Sequence, residues 1–357
     1  MAIFWFTAVI LLLLILQNFI FGRMGFKKLD YERRFDRQRV FAGEAIEMTE
    51  VITNRRRIPY PYVLVESMMP ASFRFGGKSD VYQTLGENQQ HHRSLFALRG
   101  RYEITRKYVF TCEKRGVYDF QSVTLTAGDA IGLKAHVQTR PANFQITVYP
   151  KPLALRELPL GARSWLENAF SRDNALRENH YQVSGARPYR PGDSARWISW
   201  KASAKLGEWM VHKRESILDQ ELWIILNIQD DSEVWSRSMD SGKLERGIRY
   251  AASAAAYAAK HGIRVGFACN GSLPGIRGLA EDLQIAGGKK QYASILDRLA
   301  RLKADVEMPI EKMLDERSAR YAGHNILLIS PIMTASLKRR LQVLRRQGNA
   351  VEWLPVK

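Results

Sequence analysis

The longest uninterrupted apolar stretch runs from Ala2 to Phe21, AIFWFTAVILLLLILQNFIF, with no charged residue and only Thr7, Gln17 and Asn18 as polar members. A helix of about 20 residues rises about 30 Å, the thickness of a bilayer's hydrocarbon core. The pattern therefore predicts a transmembrane helix within residues 1–22. Cations follow the run closely, at Arg23, Lys27, Lys28, Arg33, Arg34, Arg37 and Arg39, whereas only Met1 precedes it. By the positive-inside rule this asymmetry predicts a single-pass cell-membrane protein with its N-terminus outside and the bulk of the chain cytoplasmic. A cleaved signal peptide fits less well, because it needs a basic leading region, a shorter apolar core and a small-residue cleavage site.

Beyond this run the period changes twice. From Phe35 to about Tyr149 short alternating runs such as EAIEMTEVITN, YVLVESMM and FQITVYP are separated by turn residues. Period-two alternation with β-branched and aromatic residues predicts an antiparallel β-sandwich over residues 23–150. Arg55, Arg56 and Arg57 fall between two such runs, ahead of Pro59 and Pro61, and read as a solvated loop with a rigid exit. From residue 220 to 357 continuous apolar runs of strand length, ELWIILN, IRVGFACN, HNILLIS and AVEWLPV, alternate with helical patterns, among them the Ala-rich LERGIRYAASAAAYAAKHG. Strands alternating with helices predict an α/β domain built on a parallel sheet covered on both faces. Residues 151–219 fit neither pattern and are too long and too rich in Arg, Trp and Tyr for an ordinary linker.

Composition narrows the function classes. With 357 residues, 46% hydrophobic and 25% charged, the chain can bury about two domain cores, which excludes wholesale disorder, collagen and repeat solenoids. Cys112 and Cys269 are the only cysteines, too few for a disulfide framework or a cysteine-ligated zinc site and consistent with a reducing compartment. Fifty-four Lys and Arg against 36 Asp and Glu give a formal charge of +18, which implies attraction to lipid headgroups, nucleic acid or an acidic protein face. The cations after the apolar run could rest on anionic lipid at about 1 kcal/mol each. The helix carrying Leu341, Leu344, Arg345 and Arg346 reads as amphipathic with a wet basic face in preference to a nucleic-acid helix.

Candidate chemistry concentrates in residues 151–219. Pro191-Gly192 is a turn signal, Asp193 can cap the segment after it, and Trp197 and Trp200 are large anchors three residues apart. Arg187, Arg190 and Arg196 are planar donors suited to carboxylate pairing or to stacking on Tyr189 or a tryptophan. Together with Gly192 and Lys201 they define a candidate interaction or structural motif with two readings. One is a docking surface for an anionic group or partner; the other is an internal clamp with Asp193 and Arg196 paired within the chain. Catalytic patterns are not found: there is no Walker lysine loop, G-x-S-x-G elbow or H-E-x-x-H helix. His91 and His92 would point to opposite faces of a strand and are most simply placed in a loop. Ser184-Gly185 has no base at a readable spacing. No catalytic, cofactor-binding or metal-ligating residue is assigned, no cofactor is expected, and the chain is read as a non-enzyme.

Three segments together resemble the domain of unknown function 58 (DUF 58) family of bacterial and archaeal membrane proteins. Arg115-Gly116-Val117-Tyr118, Gly128-Asp129-Ala130-Ile131-Gly132-Leu133 and Val148-Tyr149-Pro150 look like that family's RGxY, DPxGL and VYP patterns, with Ala130 where proline is commoner. The stretch from Arg187 through Asp193, Arg196, Trp197 and Trp200 to Ala204 resembles the hallmark R-x-Y-x-P-G-D-x-x-R-x-I-D-W-K-A-S-A, with Ser199 in place of the usual acidic or amide residue. The strand and helix order from Glu221 to Lys357 is similar to a von Willebrand factor type A fold. Such a domain holds its ion through D-x-S-x-S after the first strand, and here the corresponding stretch is Asn227-Ile228-Gln229-Asp230-Asp231. No metal-dependent adhesion site is expected, and Asp230 and Asp231 read as a turn cap or a solvated acidic loop with at most weak cation binding.

The resemblance implies a membrane-anchored cytoplasmic interaction or assembly factor acting with a MoxR-type AAA+ ATPase, and with a transglutaminase-like membrane protein as a further partner. The membrane would be engaged through residues 2–21. The competing classes are a polyanion- or nucleic-acid-binding membrane protein and a cryptic hydrolase.

Overall fold

The structure, a computed structural model, describes residues 2–22, 26, 28–76, 81–83, 89–128, 135–167, 182–190, 193, 195, 198–215, 221–231, 239–273 and 282–357. It divides into two compact units, Met1–Lys151 and Pro152–Lys357.

In the first unit, Ala2–Gly22 forms the helix α1. Among the described residues no helix is long and apolar enough to cross a membrane, which corrects the expected transmembrane helix.

Ten strands follow: β1 (Leu29–Phe35), β2 (Arg39–Phe41), β3 (Ala45–Asn54), β4 (Tyr60–Pro70), β5 (Phe73–Phe75), β6 (Val81–Gln83), β7 (Gln89–Leu98), β8 (Glu103–Cys112), β9 (Gly116–Gly128) and β10 (Ala135–Tyr149). They form one sheet in the order β1-β3-β8-β5 and another in the order β2-β10-β9-β4-β7-β6. Among the described residues of this unit the one parallel pairing is β2 with β10, with Val40 opposite Val148. The second sheet is therefore mixed and not purely antiparallel as expected: after Phe35 the chain crosses from the edge of one sheet to the edge of the other and enters it running with β10. Alternation sets the core as the pleat requires. Along β3 the residues Ile46, Met48, Glu50, Ile52 and Asn54 are buried, and along β7 Gln90, His92, Ser94, Phe96 and Leu98.

Two apolar clusters result, one around Ile52, Val63, Phe96 and Leu125 and one around Ile46, Met48, Phe110 and Val148. Between Met48 and Ile52 on β3 sits Glu50, the centre of a buried polar group. Its carboxylate accepts from Tyr31 Oη at 2.7 Å and Arg33 Nη2 at 2.6 Å, and His92 Nε2 stands 3.9 Å away. His91 and His92 thus lie in a strand and not in a loop. Alternation turns His92 inward, stacked on Phe75, and leaves His91 half-buried on the other face.

In the second unit a 3-10 turn at Leu155–Glu157 and a helical stretch over residues 160–167 precede the hairpin of β11 (Gln182–Pro188) and β12 (Met210–Glu215), with α2 (Trp200–Leu206) between its strands. Its main sheet comprises β13 (Glu221–Leu226), β14 (Arg264–Cys269), β15 (Leu283–Ala286), β16 (Asn325–Ser330) and β17 (Ala350–Pro355), in the order β15-β14-β13-β16-β17. β13, β14, β16 and β17 are parallel, whereas β15 runs antiparallel to β14, so this sheet too is mixed where a parallel one was expected. A four-residue strand at the edge has one neighbour to satisfy and can run against the rest, as edge strands on parallel sheets often do.

Four helices accompany the sheet: α3 (Ser241–His261), α4 (Gly288–Arg301), α5 (Ile310–Tyr321) and α6 (Ala335–Arg346). Asp240 caps α3 by accepting from the amides of Gly242 and Lys243, and Ala251, Ala252, Ala254, Ala255 and Ala258 are buried, so small side chains let the helix lie close on the strands. Trp223 and Ile225 face the other way, into a core with Met313 and Leu314 of α5 and Leu337 and Leu341 of α6.

Candidate interaction surface

Among the described residues the hallmark hairpin carries an ion pair between Arg187 and Asp193. Arg187 donates from Nη1 to Asp193 Oδ2 and from Nη2 to Oδ1, both at 2.7 Å, a two-pronged fork that also fixes direction. Nη1 additionally donates to the Pro188 carbonyl at 3.1 Å. The Arg190 amide donates to Asp193 Oδ2 at 2.8 Å, and the Asp193 amide returns to the Arg190 carbonyl at 3.0 Å, closing the turn. The fork from Arg187 and the Arg190 amide hold the Asp193 carboxyl down at about 2. Both carboxylate oxygens are thereby engaged by Arg187, where the clamp reading expected Arg196. Gly192, Arg196 and Trp197 lie outside the described residues, as does the stretch 129–134 with its DPxGL-like pattern.

Beyond the turn, Ser199 precedes α2 and is buried, with its amide donating to the Met210 carbonyl at 2.8 Å. Ser203 Oγ accepts from the Met210 amide at 2.9 Å, stitching the short helix to β12. α2 ends at Gly207, whose φ of 72° is in the left-handed region that a side chain disfavours. That reversal turns Glu208 and Trp209 back toward the strand. Met210 and Val211 are buried and anchor the hairpin from below.

What the scaffold displays is aromatic. Pro188 is paired with Met210, so Tyr189 stands opposite Trp209, and the Tyr189 amide donates to the Trp209 carbonyl at 2.8 Å. Residues directly opposite in antiparallel strands share a face. Trp209 meets Trp200 edge to face, ring centroids 5.6 Å apart at 72°. All three remain open to solvent: Trp200 is 66% exposed, Trp209 58% and Tyr189 41%. Leu206 is exposed at the end of α2. Lys201 and Lys205 are exposed on one side of α2, and Arg190 is exposed beside Tyr189. Sequence reasoning missed Trp209 and Leu206. The signal was present in K-L-G-E-W-M-V, a basic last turn, a glycine stop and an apolar strand start.

At the C-terminal ends of the parallel strands lies a network of neutral side chains. Asn227 Nδ2 donates to Ser330 Oγ at 2.9 Å, Asn270 Nδ2 donates to Asn227 Oδ1 at 2.8 Å, and Asn270 Oδ1 accepts from the Ile228 amide at 2.9 Å. Gln229 Nε2 donates to the Asp231 carbonyl at 2.9 Å. These amides are buried and bonded to one another, so they tie three strand ends together and offer a cation no charge. Asp230 is neutralised separately by Lys243 Nζ at 2.8 and 3.0 Å. Among the described residues no group of three or more His, Cys, Asp or Glu side chains is arranged to hold a metal ion. Cys112 and Cys269 are buried, and burial pushes their thiols up to about 12 and about 11, which leaves neither as a ready nucleophile.

Residues 185–352 match the model of the family described as protein of unknown function DUF58, the family that the motifs resemble. No curated protein matches the chain. Among solved structures, the CARDB domain of a Pyrococcus furiosus protein aligns at 17% identity over 34% of this chain and 91% of that one, with a TM-score of 0.21. An Escherichia coli alpha-2-macroglobulin fragment aligns at 13% identity over 34% of this chain and 23% of that one, with a TM-score of 0.25. Likeness this slight carries no argument about activity.

Proposed function

We propose that this chain is a protein-interaction or assembly factor that works with a partner ATPase and performs no catalysis of its own. The observation that carries the reading is the exposed Trp200–Trp209 pair, presented with Tyr189 on a hairpin that the Arg187–Asp193 fork holds rigid. Large aromatics left in water on a fixed scaffold are what interface hot spots are made of, because they bring much contact area and lose little conformational freedom on binding. The family resemblance suggests a MoxR-type AAA+ ATPase as the partner, in which case ATP hydrolysis belongs to that protein.

The test is crosslinking in cells, capture through a C-terminal tag and identification of the recovered proteins, with Trp200→Ala beside the wild type. The reading expects an AAA+ ATPase with the wild type, its loss with Trp200→Ala, and the same thermal transition for both chains. Equal recovery of the ATPase from the variant, or no ATPase from either, overturns it.

A further inference from the structure

We propose that the Tyr189–Trp200–Trp209 face takes an acidic peptide segment of its partner, with apolar side chains seated on the rings and carboxylates set against the cations at the rim. The inference rests on the interaction reading and adds the chemistry of the bound segment. Its basis is the juxtaposition of ring surface and charge. The two indoles meet edge to face at 5.6 Å and remain open to solvent, with Tyr189 opposite Trp209 on the hairpin.

Next to them in the chain stand Arg190, Lys201 and Lys205, all exposed; Arg190 also acts on the Asp193 carboxylate, and Lys201 and Lys205 carry no ion pair among the described residues. Glu208 is the single carboxylate exposed there among the described residues. Arg187 is withheld from any ligand, since both of its terminal nitrogens are spent on Asp193. The rim is therefore cationic by the residues left over from the clamp, and its complement is anionic. A second copy of this chain is a poor occupant, because two molecules of charge +18 repel. Lys201 and Lys205 are four residues apart on α2, one helical turn, so both present their charge along one side of that helix, and Arg190 follows Tyr189 in the chain. An extended or helical segment laid across the rings can set carboxylates against these cations while an apolar side chain covers the indoles.

The test selects a random phage-displayed peptide library on the full chain and measures the enriched peptides by titration. Three variants run beside the wild type: Trp200→Ala, Trp209→Ala and the double charge reversal Lys201→Glu/Lys205→Glu. All four positions are exposed, so each variant keeps the wild-type thermal transition. Enriched peptides are expected to carry Asp and Glu flanking aromatic or aliphatic residues. Binding should weaken about thirtyfold on loss of either tryptophan. Charge reversal should weaken it about tenfold and flatten its salt dependence.

Peptides without acidic enrichment, peptides that bind the variants as well as the wild type, or no enrichment at all overturn the inference. Phosphatidylserine–phosphatidylcholine vesicles are titrated in parallel. Tryptophan-dependent vesicle binding with no acidic peptide would overturn it in favour of a lipid surface. The two readings fail separately. Acidic peptides held by the tryptophans with no ATPase recovered from cells would remove the ATPase and keep the acidic segment. An ATPase captured through Trp200 alongside peptides lacking acid would do the reverse.

Discussion

Arg187 and Trp200 are thirteen positions apart and have opposite tasks. Arg187 is half-buried and spends its guanidinium on Asp193, so its function is architectural: it closes the Arg190–Asp193 turn and aims the chain toward α2. Because Asp193 titrates at about 2 in the folded chain and near 3.8 otherwise, its contribution to the turn is complete above pH 3.8 and is lost as the pH falls through about 2. Asp193→Asn removes one charge of the fork, and the expected outcome is a flat stability profile across that window together with faster amide exchange at Arg190, read by hydrogen exchange. Trp200 touches little besides Trp209, so Trp200→Ala opens no cavity. Its expected effect on unfolding free energy is within about 0.5 kcal/mol, the range for exposed substitutions, as measured by denaturant titration. Sequence reasoning paired Asp193 with Arg196, which lies outside the described residues, whereas the structure shows Arg187 on it. Asp193 has Arg187, Arg190 and Arg196 all within six positions, and only the turn geometry selects which guanidinium reaches it.

Among the elements, β3 and β7 have the least expected interiors. Both carry the alternation of a half-buried strand, yet Glu50 and His92 occupy inward positions that the pattern would fill with apolar side chains. Burial by itself pushes the Glu50 carboxyl up. The His92 ring and the Arg33 guanidinium outweigh it and hold the carboxyl at about 2. Removing the charge strands Arg33, whose side chain is 5% exposed. Glu50→Gln should therefore cost about 3–5 kcal/mol, seen as a lower denaturation midpoint with an unchanged slope. With the wild type, this stabilisation is present above pH 4.5 and disappears as the pH falls through about 2.

The loop of three arginines is less free than its charge suggested. The Arg101 amide donates to the Arg56 carbonyl, and Asn54 Nδ2 ties the Ile58 and Arg99 carbonyls together at 3.0 Å each. A Cβ on Gly100 would stand 1.9 Å from the Arg57 carbonyl oxygen, backbone that cannot step aside. Gly100→Ala should accordingly displace the loop and lower the melting temperature of the first unit, measured by circular dichroism. Periodicity located β3 and β8, left the histidines of β7 in a loop, and could not indicate this contact, because it joins segments more than forty residues apart.

Taken whole, the molecule has two units with separate cores, a layered interior around Glu50 in one and the α/β sheet in the other. Calorimetry is expected to resolve their unfolding: Glu50→Gln should lower the transition of the first unit and leave that of the second in place, since the substitution touches only first-unit side chains. A single transition moving as one would show that the units melt together. The formal charge of +18 belongs to this scale as well, because it biases every encounter of the chain toward anionic partners whatever surface finally binds.

By itself the sequence determined the elements whose cause is local. The 21-residue helix at Ala2–Gly22, the strand runs ELWIIL and NILLIS, the Asp240 cap and the Gly207 and Gly262 stops all arise from side-chain period and backbone preference within a few residues. Tertiary structure alone decided the direction of β2 and β15, the choice of Arg187 for Asp193, the inward placing of His92 against Glu50, and the meeting of Trp200 with Trp209 on an open face. Each of these joins groups whose separation is set by how sheets and turns close in space. The energy that selects among equivalent partners is realised only once the backbone between them has been folded.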